Sequence, residues 1–121
     1  MKVVIVSHLA LPHVGGVEIL VDREIRALSQ AGHEVVLITS DFQGVPKSMS
    51  DPVFARLRQE FKLERSQVMF TFSHNHCGPR LGDDLVDYYP VQAEQEALVE
   101  DYTRQMIAKT VTLVGESLAA L

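Results

Sequence analysis

The sequence predicts a small three-layer α/β domain: a short parallel sheet between helices, in the order β-α-β-α-β-α. Two observations carry this. Val3-Val-Ile-Val6 and Val35-Val-Leu-Ile38 are apolar, largely β-branched runs without polar alternation, the pattern of strands buried on both faces. Between them lies a helical stripe. Strand, helix and strand within about 40 residues form a βαβ unit, whose strands are parallel and whose crossover is right-handed.

Taken in order, Val3 to Val6 is the first strand, and Leu11-Pro-His-Val-Gly-Gly16 breaks it with turn residues. From Val17, apolar side chains recur at Leu20, Val21, Ile25, Leu28 and Ala31, with Glu18, Asp22, Arg23, Glu24 and Arg26 between them. This is an amphipathic helix, and Gly32 stands where a left-handed C-terminal cap belongs. Val35 to Ile38 is the second strand. A connection with Gly44 and Pro46 leads to Ser50-Asp-Pro52, read as a helix start with Ser50 as N-cap and Pro52 in the first turn. Val53, Phe54, Leu57 and Phe61 make its buried stripe. Val68 to Phe72 is the third strand, and His74 to Pro90 a loop. A last helix runs from Val91 through Ala93, Leu98, Tyr102, Met106 or Ile107, Val111, Val114 and Leu118, with a break expected near Gly115. The layout is half of a Rossmann-like fold. Three strands leave exposed edges, so self-association through the sheet edges is an expectation.

The chain has 121 residues, enough for a single domain spanning 1–121. At 46% hydrophobic and 22% charged it has the composition of a globular protein rather than of a disordered or fibrous one. Eleven Lys and Arg against 16 Asp and Glu give a net charge of −5. That balance argues against nucleic-acid partners and anionic membrane surfaces, both of which need clustered positive charge. One cysteine permits no internal disulfide. No transmembrane segment is expected, because no run approaches the ~20 apolar residues a membrane span requires. The apolar start is too short for a secretory signal, which leaves a cytoplasmic address as the default expectation.

His13-Val-Gly-Gly-Val-Glu18 follows a strand and opens a helix. In an open α/β sheet such a loop lies at the carboxyl ends of the strands, where ligands bind. Gly15 and Gly16 let the backbone approach a ligand, and the helix start offers unpaired N–H groups to an anion. A phosphate site and a plain tight turn fit the spacing equally well. Met1-Lys-Val-Val-Ile-Val-Ser-His8, Pro12-His-Val-Gly-Gly-Val-Glu18, Ile25-Arg-Ala-Leu28 and Ala31-Gly-His-Glu-Val35 with Val36-Leu-Ile-Thr39 resemble the start of family 4 glycosyltransferases. The resemblance covers residues 1–40. It implies that Gly15 and Gly16 lie near the diphosphate of a nucleotide sugar as backbone donors. In that family a second domain supplies most of the donor site.

Ser73-His-Asn-His-Cys-Gly-Pro79 follows the third strand. Histidines at i and i+2 of an extended segment project to the same side, so His74 and His76 can reach one metal ion, zinc being the usual choice. Two ligands are half a site, since a catalytic zinc takes three from the protein. Ordinary polar loop histidines fit the pair as well. Val36-Leu-Ile-Thr-Ser-Asp41, Gly44-Val-Pro46, Gln67-Val-Met-Phe-Thr-Phe-Ser-His-Asn-His-Cys-Gly-Pro79, Asp87-Tyr-Tyr-Pro90 and Leu113-Val-Gly-Glu-Ser-Leu-Ala-Ala-Leu121 resemble the early part of neutral/alkaline ceramidases. This likeness covers residues 35–121. It implies a zinc amidase acting on N-acylsphingosines through water activated by the ion. It also implies a zinc-ligand role within the pair His74 and His76. Cys77 departs from the Ser or Ala more usual there, and the family's other ligands and its catalytic serine lie further downstream. The two resemblances meet at Val35 to Thr39, so a recombined or truncated domain without complete catalytic machinery is the expectation.

Asp83, Asp84, Asp87, Glu94, Glu96, Glu100 and Asp101 form an acidic stretch without the alternation of a calcium loop, read as a solvated face. Tyr88 and Tyr89 are expected to pack. His8 and His13 are placed to face the cleft, and His33 to sit at a helix's negative end. Ser7, Ser40 and Ser73 follow strands, but none lies in a Gly-x-Ser-x-Gly elbow, so a serine-triad hydrolase is unsupported.

Overall fold

A computed structural model of the chain describes residues 1–7, 15–88 and 90–121, apart from the side chain of Val17. Three strands, β1 (Lys2–Ser7), β2 (Glu34–Thr39) and β3 (Val68–Phe70), form a parallel sheet in the order β2-β1-β3. Helix α1 (Gly16–Gln30) joins β1 to β2, α2 (Lys47–Phe61) joins β2 to β3, and α3 (Ala93–Ala119) follows β3. The expected β-α-β-α-β-α order and three-layer arrangement are therefore those of the protein.

Alternation along the strands sorts the core into two halves. Val4 and Val6 of β1, Val36 of β2 and Val68 of β3 pack with Val53 and Leu57 of α2 and Val111 and Val114 of α3. On the opposite face Val3 and Ile5 meet Val21 of α1, with Ile25, Leu28, Val35, Leu37 and Met69 partly buried around them. β1 is covered on both faces and hydrogen-bonded on both edges. Its apolar run has that cause.

Both early helices depart from their expected ends or faces. In α1 the inward stripe is Val21, Ile25 and Leu28, whereas Leu20 is exposed. Gly32 adopts φ 79°, the left-handed conformation its position suggested. Helix α2 begins at Lys47, three residues before Ser50, because Met49 is drawn fully into the core and Pro46 O accepts from Met49 N and Ser50 N. Pro52 therefore lies inside the helix rather than in its first turn.

The last strand and helix also correct the sequence reading. β3 ends at Phe70, not Phe72, although Thr71 still donates its N–H and its hydroxyl to Val6 O at 2.6 and 2.8 Å. Helix α3 runs unbroken through Gly115, where the Phe61 ring fills the space a side chain would take: a Cβ would come within 2.7 Å of Phe61 Cζ. Tyr88 is exposed rather than packed, and Tyr89 lies outside the described residues. Among the described residues no helix is long and apolar enough to cross a membrane.

Helix α2 closes on Lys62, which has φ 58°. Its N–H bonds Arg58 O and that of Leu63 bonds Leu57 O, a left-handed cap that usually selects glycine. Lys62→Gly should raise stability by about 0.5–1 kcal/mol by removing the Cβ penalty. An unchanged or lowered urea midpoint would contradict this.

Candidate functional site

The strand order sets where a site forms. From β1 the chain crosses to one edge, and from β2 it returns past β1 to the other, so β1 and β3 flank a topological switch point at their carboxyl ends. Because all three strands are parallel, the segments that follow them emerge on one rim. The glycine turn and the imidazole pair therefore share that rim. Ser7 O accepts from Ser40 N, and Ser40 Oγ reaches Thr71 O at 3.3 Å, so the strand ends draw together over the fully buried Ser7.

Residues 41–44, after β2, run beside residues 73–78, after β3, and the imidazole pair is built where they meet. Asp41 receives the hydroxyl of Ser73 on one carboxylate oxygen and Nδ2 of Asn75 on the other, the latter at 3.1 Å. Asn75 Oδ1 then accepts Cys77 N at 2.8 Å. With residues 73 and 75 turned to Asp41, residues 74 and 76 turn to each other. Their Nε2 atoms stand 3.1 Å apart, with the rings near perpendicular at 88°. His74 Nδ1 lies 2.8 Å from Gln43 O. A carbonyl only accepts, so Nδ1 donates to it, and the two Nε2 atoms hold one proton between them. His74 takes this pose at φ 58°, a left-handed conformation unfavourable for a residue with a side chain. The convergence expected from an extended segment thus arises from a turn pinned by Asp41 and Gln43. Both imidazoles are exposed.

Asp84 is the residue that sequence reasoning placed wrongly. Filed with the solvated acidic stretch, it is half-buried, and its Oδ2 is buried without a hydrogen-bond partner among the described residues. It lies against Gly44, where a Cβ would come within 2.5 Å of Oδ2. Burial pushes the Asp84 carboxyl above its ordinary value. The charge of Asp83 acts the same way, while His74 and Arg80 oppose it. Asp83 beside it is exposed, and the Ser48 hydroxyl, donating at 2.6 Å, holds its carboxyl below the ordinary value. No local pattern separates Asp83 from Asp84; the difference is tertiary. Asp87, Glu94, Glu96, Glu100 and Asp101 are exposed as expected.

Gly15 and Gly16 stand at the start of α1, Gly15 as N-cap with φ −149° and ψ 175° and without a side-chain cap bond. The Glu18 carboxylate folds back over Gly15 and is itself buried, 7% exposed. A phosphate arriving there meets the chain's own anion. His8 and His13 lie outside the described residues. His33, expected near the end of α1, has Nδ1 3.3 Å from the terminal amine of Met1.

Fold and rim together define a parallel three-layer α/β domain with an imidazole pair at its switch point. Comparisons with protein-family models, with curated proteins and with solved structures give no match. Among the described residues no three His, Cys, Asp or Glu side chains already converge as a metal cage.

The raised Asp84 carboxyl has a consequence for stability. The folded chain holds this proton more tightly than the unfolded one, so stability falls as pH rises from the ordinary value near 3.8 through the raised one. Asp84→Asn should therefore raise the thermal midpoint at pH 7 and remove that decline. A lower midpoint at pH 7 would show the charged carboxylate to be stabilising.

Proposed function

We propose that this chain carries a divalent-metal half-site of zinc-amidohydrolase type, with His74 and His76 as two ligands to one ion. The observation that carries this reading is the facing Nε2 pair, 3.1 Å apart, with His74 held from behind by Gln43 O. Zinc–nitrogen bonds of about 2.0–2.1 Å at a tetrahedral angle separate two ligand nitrogens by roughly 3.3 Å. An ion would fit there with a shift of a few tenths of an ångström, the proton between the rings passing to His76 Nδ1. An Nδ1–H donated to a carbonyl is the usual support for a histidine ligating through Nε2. Asp41 and Asp84 add negative charge around the pair, which favours a cation.

The resemblance of Ser73-His-Asn-His-Cys-Gly-Pro79 to the ceramidase segment supports zinc and an amide substrate. When bound, zinc supplies the Lewis acidity that amide hydrolysis uses. The chain's own residues hold and orient: Gln43 sets the His74 tautomer, and Asp41 fixes the turn that brings His76 opposite. The property these residues support is metal binding by the pair, the two ligands that this turn supplies.

Zinc titration by calorimetry should give one site per chain, weakened at least about tenfold in His74→Ala and in His76→Ala. Unchanged affinity in both variants would reject the half-site. Hydrolysis of a fluorescent ceramide that survives the double substitution would count against the amidase assignment.

A further inference from the structure

We infer that Asp84 is a positioning residue for the imidazole pair: its carboxylate braces the Gln43–Gly44 segment that orients His74 and supplies the negative charge that retains a cation there. This rests on the metal reading of His74 and His76. Gln43 O takes the Nδ1 proton of His74 at 2.8 Å, and the next residue, Gly44, is the one against which Asp84 packs. The carboxylate therefore stands against the segment that carries the Nδ1 acceptor.

Two features of this carboxylate are otherwise unexplained. Its Oδ2 is buried and takes no hydrogen bond from the described residues, an arrangement that native proteins avoid unless the group has work to do. Gly44 leaves room for it: a methyl group there would meet Oδ2 at 2.5 Å and Oδ1 at 2.7 Å, so any side chain at 44 expels the carboxylate. Without a metal, His74 and Arg80 are the positive groups that offset the charge of Asp84, with Asp83 opposing them. A divalent ion on His74 Nε2 adds the compensation the buried charge lacks. Groups that support a metal ligand from behind typically change affinity by about 10–100-fold when lost.

The test titrates the whole chain with Co²⁺, whose visible bands report the ligand set, and with Zn²⁺ in competition. Asp84→Asn should lower the affinity for both ions about 10–100-fold while the cobalt band positions and intensities stay those of the parent. Gly44→Ala keeps the charge but displaces the carboxylate, and should weaken binding in the same sense. Asp84→Asn is the decisive variant should Gly44→Ala fail to fold, as judged by circular dichroism. Parent-like affinity in Asp84→Asn would overturn the inference. So would a changed cobalt spectrum, which would make Asp84 a ligand. If His74→Ala and His76→Ala also bind as the parent does, the metal reading itself has failed; if they alone lose binding, only the role of Asp84 has.

Discussion

β1 has a neighbour on each side and a helical layer on each face, and the placement of everything else follows from that. A right-handed crossover from β1 to β2 puts α1 on one face. The crossover from β2 to β3 travels the opposite way along the sheet, so the same handedness puts α2 on the other face. The two apolar sets of β1, Val3 with Ile5 and Val4 with Val6, are the sequence-level record of those two layers. The reversal of direction at β1 also opens the switch point.

Two kinds of information were legible in the sequence to different degrees. Strands buried on both faces announce themselves by composition, and α1 by its stripe and Gly32. The ends of elements were less legible because tertiary contacts decide them. Burial of Met49 pulls the start of α2 back past Pro52, and the Phe61 ring lets α3 pass through Gly115, where propensity alone suggests a break. The imidazole pair was visible as a two-residue spacing, yet its geometry depends on Asp41 and Gln43, more than thirty positions away. Asp84 was invisible because its neighbour Asp83 has the same side chain and the opposite environment.

Three carboxylates stand along the described part of the rim. Asp41 lies beneath the imidazole turn, Asp84 lies behind it, and the Glu18 carboxylate covers the N-terminus of α1. A helix start ordinarily attracts anions, but here the partial positive charge faces a carboxylate of the same chain. Carboxylates thus stand at both places to which the two resemblances point, Gly15 and the imidazole turn.

The shape of the rim comes from the length of α3. Thr103 Oγ1 accepts from Gly82 N near the start of α2, and Gly115 meets Phe61 at its end, so α3 runs alongside α2 in the same direction. The twelve-residue rise between those contacts is about 18 Å, close to the roughly 20 Å length of a six-residue strand. The turns before Thr103 consequently project past the carboxyl ends of the strands. Leu98 is 71% exposed because, at about 100° per residue, it lies on the side of α3 opposite Val111 and Val114, outside the stripe the sequence spacing assigned to it. In place of the sheet the overhang meets Pro79 and Arg80, with a cavity of about 560 Å³ between them that Val91, Val99 and Tyr102 also line. Pro79 is three residues beyond His76. One over-long helix thus raises a largely apolar wall beside the segment that carries the imidazole pair.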